Sequence, residues 1–223
     1  MSDDSFIREV EEELRSDRLK GFWDRFGTYI IAAAVIVVIA TAAWTGYEYY
    51  TESRANASGD RFLAALNLAN EGKSDEALAA LQQLEADGYG AYPVLARMRA
   101  ATVLQDKGDA AGAVAAFDAV AADTSAPQAV RDMANIRAAY ILVDTGSATD
   151  VAERAEALSS DENPLRHAAR ETLGLAAWKD GRLADAKTLF QQIADDPAAP
   201  RNAQQRASIM LDLIKATGEV QTG

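Results

Sequence analysis

The chain has 223 residues, no cysteine, a single histidine, and 34 acidic against 22 basic side chains, giving a formal net charge of −12. That balance repels a polyanion such as nucleic acid, and the missing cysteines exclude disulfides, thiolate nucleophiles and cysteine-ligated zinc. Alanine is abundant and prolines number only 5, a composition that favours helix because alanine loses no side-chain entropy there, so an all-α protein is expected.

A mixed-charge leader comes first, residues 1–25, with Phe6, Ile7, Val10 and Leu14 on one helical face. That pattern suits a helix lying against lipid or a partner, and equally a solvated helix running into the next segment. Between Arg25 and Glu48 no residue is charged, and a helix of that length covers roughly 33 Å, enough for a hydrocarbon core of about 30 Å. Phe22, Trp23 and Phe26 flank one end and Trp44, Tyr47, Tyr49 and Tyr50 the other, as expected where a helix meets two membrane interfaces. Residues 26–50 are therefore expected to form one transmembrane helix held by membrane lipid. "ATA" at Ala40–Ala42 offers the alternative of a cleaved export signal, against which stand the length of the apolar run and the charged leader. Arg8, Arg15, Arg18, Lys20 and Arg25 precede the span, whereas Arg54 and Arg61 follow it. This bias places the N-terminus in the cytoplasm and exports residues 51–223, to the periplasm in a bacterium.

The exported part repeats itself. "EGKSDEALAAL", "DKGDAAGAVAAF", "DTGSATDVAERA" and "KDGRLADAKTLF" each place a glycine five residues before a small or β-branched residue: Gly72/Ala77, Gly108/Ala113, Gly146/Val151 and Gly181/Ala186. Each glycine lies between two apolar helical patterns, so it reads as the left-handed stop of one helix before a short turn into the next. Ser74 or Asp75, Asp109, and Thr149 or Asp150 are the expected capping residues. Seven positions before the glycines stand Ala65, Ala101, Ala139 and Gly174. Two helices of a hairpin approach closely only where both carry small side chains, so these pairs are expected to be the hairpin contacts. Leu81, Phe117, Ala155 and Phe190 fill the outer seam of each second helix. Breaks follow at Gly88 to Pro93, Ser125 to Pro127, Asn163-Pro164 and Pro197 to Pro200. There Asn163 reads as an N-cap ahead of proline, and Ser125 to Gln128 as a capping box. A ninth helix, from about Arg201 to Ala216 and ended by Thr217-Gly218, presents Ala207, Met210, Leu211 and Ile214 as a capping face.

These residues resemble the tetratricopeptide repeat, most closely in "TLGLAAWKDGRLADAKTLFQQIADDP", where Leu173-Gly174, Gly181, Ala186, Phe190 and Pro197 are in register. The fold this implies is a right-handed array of helical hairpins with a C-terminal capping helix. Together with the leader and span, "DGYGAYPVLARMRAATVLQDKGD" and "RETLGLAAWKDGRLADAKTLF" make the chain similar to the YfgM-like ancillary subunits of the bacterial SecYEG translocon. That resemblance implies a periplasmic scaffold beside the translocon, working with a membrane-anchored chaperone of the prolyl-isomerase type on newly exported chains. A soluble repeat protein coordinating cell-envelope or division machinery is the alternative.

Catalytic chemistry finds few candidates. His167 excludes sites needing two imidazoles and reads as a surface or groove residue beside Arg166 and Arg170. Asp195-Asp196 reads as a helix end rather than an acid/base pair, and no phosphate loop or EF-hand spacing occurs. No enzyme activity, cofactor or metal is expected. Binding is expected from shape, since the first helices of stacked hairpins line the concave surface of such arrays. Alignment by the glycines places Met98, Thr102, Tyr140 and Trp178 there, with the aromatic pair as anchors; an inter-repeat core role is the alternative reading for them.

Overall fold

A computed structural model of the chain describes the backbone from Asp3 to Gln221, and the side chains of Lys20 and residues 22–217. The described residues form nine α-helices and no strand: α1 (Asp3–Asn70), α2 (Ser74–Asp87), α3 (Tyr92–Asp106), α4 (Ala110–Ala122), α5 (Gln128–Thr145), α6 (Ala148–Ala155), α7 (Arg166–Lys179), α8 (Leu183–Ala194) and α9 (Arg201–Gln221). A 3-10 turn, Glu156–Leu158, extends α6. The chain divides into two units, one through Asn56 and one from Ala57.

The first unit is helical. One helix among the described residues is long and apolar enough to cross a membrane, within Phe22–Asn70, and almost none of its most apolar stretch is buried by protein. Ile36, Val38, Ile39, Trp44 and Tyr47 are all exposed, so the apolar surface runs round the helix and has no protein core to enter. The leader face of Phe6, Ile7, Val10 and Leu14, and the cations Arg8, Arg15 and Arg18, lie outside the described side chains.

The second unit is four hairpins and a closing helix: Ala57–Asn70 of α1 with α2, α3 with α4, α5 with α6, α7 with α8, then α9. The eight residues expected at the hairpin contacts are all buried, from Ala65/Ala77 to Gly174/Ala186. Leu81, Phe117, Ala155 and Phe190 are likewise fully enclosed. At Gly174 the close approach is explicit, since a Cβ there would lie 2.9 Å from Cζ of Phe190. Four apolar clusters follow one another along the array. Each joins a hairpin to the helix that follows it, as in the cluster where Ala101, Ala113 and Phe117 meet Ala134 and Ala138 of α5. On α9, Ala207, Ile214, Met210 and Leu211 pack onto the last hairpin.

Local chemistry departs from expectation at the helix ends. Gly72, Gly108 and Gly181 adopt φ of +78, +87 and +75°, the left-handed stop that glycine supplies without a Cβ clash. Gly146 does not; it is extended at φ −113°. The next residue, Ser147, is the cap of α6, accepting a hydrogen bond from Asp150 N while the Asp150 carboxylate accepts from Ser147 N. Thr149 is therefore not the cap, and this capping box replaces the glycine turn. Asp109 caps α4 as expected, but α2 has no side-chain cap. Ser125 caps nothing: it donates to Asp123, and Pro127 precedes α5. Asn163 accepts from Leu165 N at 2.8 Å as a local turn, and α7 starts only at Arg166. At the far end α9 continues through Gly218 to Gln221 instead of stopping there.

Candidate partner-binding groove

Met98 and Thr102 sit one turn apart on α3, with the Thr102 hydroxyl donating to the Met98 carbonyl at 3.1 Å. Met98 is half-buried against the cluster of Ala101 and Ala134. Tyr140, on α5, packs partly into the next cluster with Ile136 and Ala139, and its phenol donates to Glu171 Oε2 at 3.0 Å. Trp178, in the last turn of α7, is 39% exposed. The structure thus sets the four candidates on three successive first helices, while joining only Met98 to Thr102 by a hydrogen bond. No ring contact between Tyr140 and Trp178 occurs among the described residues.

Two residues that sequence reasoning passed over complete this face. Glu171 is 7% exposed on α7 and takes a two-point contact from Arg206 of α9, Nε to Oε1 at 2.5 Å and Nη2 to Oε2 at 2.6 Å. Tyr140, Glu171 and Arg206 therefore chain α5, α7 and the closing α9 together by charge-assisted bonds. Burial, and after it the Glu171 carboxylate, push the Tyr140 phenol well above its ordinary range, so Tyr140 is a donor, not an anion, at neutral pH.

A second set of residues is periodic and was equally overlooked. Asp87, Asp123, Asp161 and Asp196 recur 36, 38 and 35 residues apart, the spacing of the turn glycines. Each is held by an arginine of a first helix. Arg61 donates to Asp87 at 2.7 Å, Arg97 to Asp123, Arg170 to Asp161, and Arg166 to Asp196 at 2.9 Å. In the third unit the position matching Arg61 and Arg97 is Asn135, so Asp161 is reached from the following helix instead. His167 is not a surface residue: it is 8% exposed and lies 2.8 Å from Asp196 through Nε2. That contact, then Ala198 N and Arg166, holds Asp196 well below the usual carboxylate range. Asp195 ends α8 as expected. The 35-to-38-residue recurrence marks these aspartates in the sequence, but not the arginine that each one meets.

Among the described residues no cluster of three or more His, Asp or Glu is placed to hold a metal ion. A model of the tetratricopeptide repeat-like domain matches residues 20–215. The chain belongs to that family. Among solved structures it resembles nearly identical TPR-like repeats of a candidate kinesin light chain from Podosopora anserina, at 18% identity and a TM-score of 0.53, covering 73% of this chain and 88% of that one. A point variant of those repeats is 17% identical with a TM-score of 0.49, covering 74% and 96%. The first of these likenesses is one of fold. No curated protein matches the chain. Tetratricopeptide-like arrays are interaction scaffolds, and the helical array is consistent with that general role.

Proposed function

We propose that the chain is a membrane-anchored interaction scaffold on the periplasmic side of a bacterial inner membrane, associated with the SecYEG translocon and with a membrane-anchored prolyl-isomerase-type chaperone. In this reading residues 1–25 are a cytoplasmic leader, residues 26–50 the anchor, and residues 51–223 the periplasmic repeat domain. The observation that carries it is the coexistence in one chain of an apolar helix without a protein core to enter and a stack of hairpins whose first helices carry Met98, Thr102, Tyr140 and Trp178. Anchoring raises the local concentration of the array at the export site, so individual contacts with clients or partners work at low affinity. Crosslinking in intact membranes is expected to trap translocon or chaperone subunits. A folded, abundant protein that traps neither refutes the assignment.

One observation favours a second reading. The apolar helix lies near the N-terminus and contains "ATA" at Ala40–Ala42, features shared with export signals. A mature protein starting near Ala43 is then a soluble periplasmic repeat protein serving cell-envelope or division machinery. Sequencing the mature N-terminus separates the two, because the anchored form retains Met1 or Ser2.

A further inference from the structure

Arginines of the array are generally spoken for. Seven of them, Arg97 and Arg206 included, lie against a carboxylate, as expected in a chain with 34 acidic and 22 basic residues. Arg99 on α3 and Arg137 on α5, like Arg201 at the start of α9, have no hydrogen-bond or ion-pair partner among the described residues. They occupy one repeat position, two residues before the small contact residues Ala101 and Ala139. Four residues before each, on the same helical face, stands an exposed apolar side chain: Leu95 at 41% and Met133 at 36%. Three residues after each come Thr102 and Tyr140. The Nε of Arg99 is moreover buried without an acceptor, as is that of Arg131 in the first turn of α5. A buried donor of a charged group left unpaired is costly, so the Arg99 guanidinium gains from any acceptor brought to its remaining N–H groups.

We propose that this face of α3 and α5 docks an acidic segment of a partner protein, whose carboxylates pair with Arg99 and Arg137 and whose apolar side chains cover Leu95 and Met133. It rests on the interaction-scaffold reading and specifies the chemistry of the partner. A guanidinium presents a planar fork that matches a carboxylate at two points, and the alternation of arginine with Leu95 and Met133 calls for a polypeptide carrying both acids and apolar groups.

The test uses the full-length protein in detergent micelles and a fluorescein-labelled peptide of alternating glutamate and leucine, followed by anisotropy. Binding is expected, weakened by added salt, and absent for the peptide with lysine in place of glutamate. Replacing both cations, Arg99→Gln with Arg137→Gln, weakens it roughly a hundredfold, about tenfold for each charge-assisted contact. Arg182→Gln, at the turn of the fourth hairpin, leaves it unchanged. The double variant keeps its helical circular dichroism, and its melting midpoint does not fall, because no native partner is lost. No binding by the wild type, or equal binding by the double variant, overturns the proposal. So does competition by dihexanoyl phosphatidylglycerol but not by unlabelled peptide, which marks a lipid-headgroup site. If the double variant still traps the same translocon or chaperone subunits in membranes, the scaffold role stands and this docking site falls; if the wild type traps none, the scaffold role itself falls.

Discussion

Substituting Gly174 by alanine probes the tightest hairpin contact. The new Cβ lies 2.9, 3.0 and 3.2 Å from three ring carbons of Phe190, where relaxed carbon contacts need about 3.5–4.0 Å. The ring has nowhere to retreat, being fully enclosed with Ala177, Ala186 and Ile193 around it. Overpacking of this kind costs about 1–3 kcal/mol, and the better helix propensity of alanine offsets ~1 kcal/mol. A net loss of about 1 kcal/mol is expected, lowering Tm by roughly 2–4 °C for a chain of this size. Phe190→Leu alone leaves a void and costs ~1 kcal/mol or more. Combining the two recreates the pairing of the first hairpin, where Ala65 belongs with Leu81, so the double variant loses less than the sum by at least about 0.5 kcal/mol. Urea unfolding of the detergent-solubilised chain, followed at 222 nm, measures all three variants at constant m. Additive losses, or a Gly174→Ala variant more stable than the parent, refute the packing argument.

Four further outcomes are expected. Arg206→Ala leaves the Glu171 carboxylate nearly buried with only Tyr140 to donate to it, and costs about 1.5–3 kcal/mol; adding Glu171→Gln recovers part of that loss, as read from the same unfolding curves. Ultraviolet titration of the wild type against Tyr140→Phe should assign to Tyr140 a phenol that stays protonated above the ordinary tyrosine range, and one titrating near 10 contradicts its bond to Glu171. Asp123 and Asp196 are held far below the usual carboxylate pKa, Asp123 first by the Ser125 hydroxyl and then by Arg97, Asp196 first by His167. Their folded pKa values lie below the unfolded ones, so their contribution is complete above the ordinary carboxylate range and is lost as pH falls through and below it. Tm should hold steady above about pH 5 and drop below it, with a smaller drop in Asp123→Asn and Asp196→Asn. Ser147→Ala removes one half of the α6 capping box and costs about 1 kcal/mol, visible as faster amide exchange in α6 than in α4.

The hairpin framework could be read directly because its determinants are short-range. A left-handed glycine, a small residue seven positions before it and another five after it are set by helix geometry and close approach alone. Those rules held at the first, second and fourth hairpins, and even in the third Val151 and Ala155 are buried as the pattern requires. Where a cap competes with a turn, local rules are ambiguous. Gly146 is extended because Ser147 and Asp150 satisfy the helix start first, and Asn163 closes a local turn ahead of the helix rather than capping it.

Sequence by itself determined the all-helical class, the apolar helix, the register of the four hairpins and the residues at their seams, because each follows from periodicity, propensity and side-chain size. Only the tertiary structure decided which charges meet. Arg206 reaches Glu171 across 35 residues and His167 turns inward onto Asp196, pairings set by how successive hairpins stack. Stacking also separated Trp178, left exposed, from Tyr140, tied into a part-buried bond, although their positions in the repeat had marked both alike. Ion pairs between distant segments carry no local signal, since any of several carboxylates satisfies a guanidinium until packing brings one of them within reach.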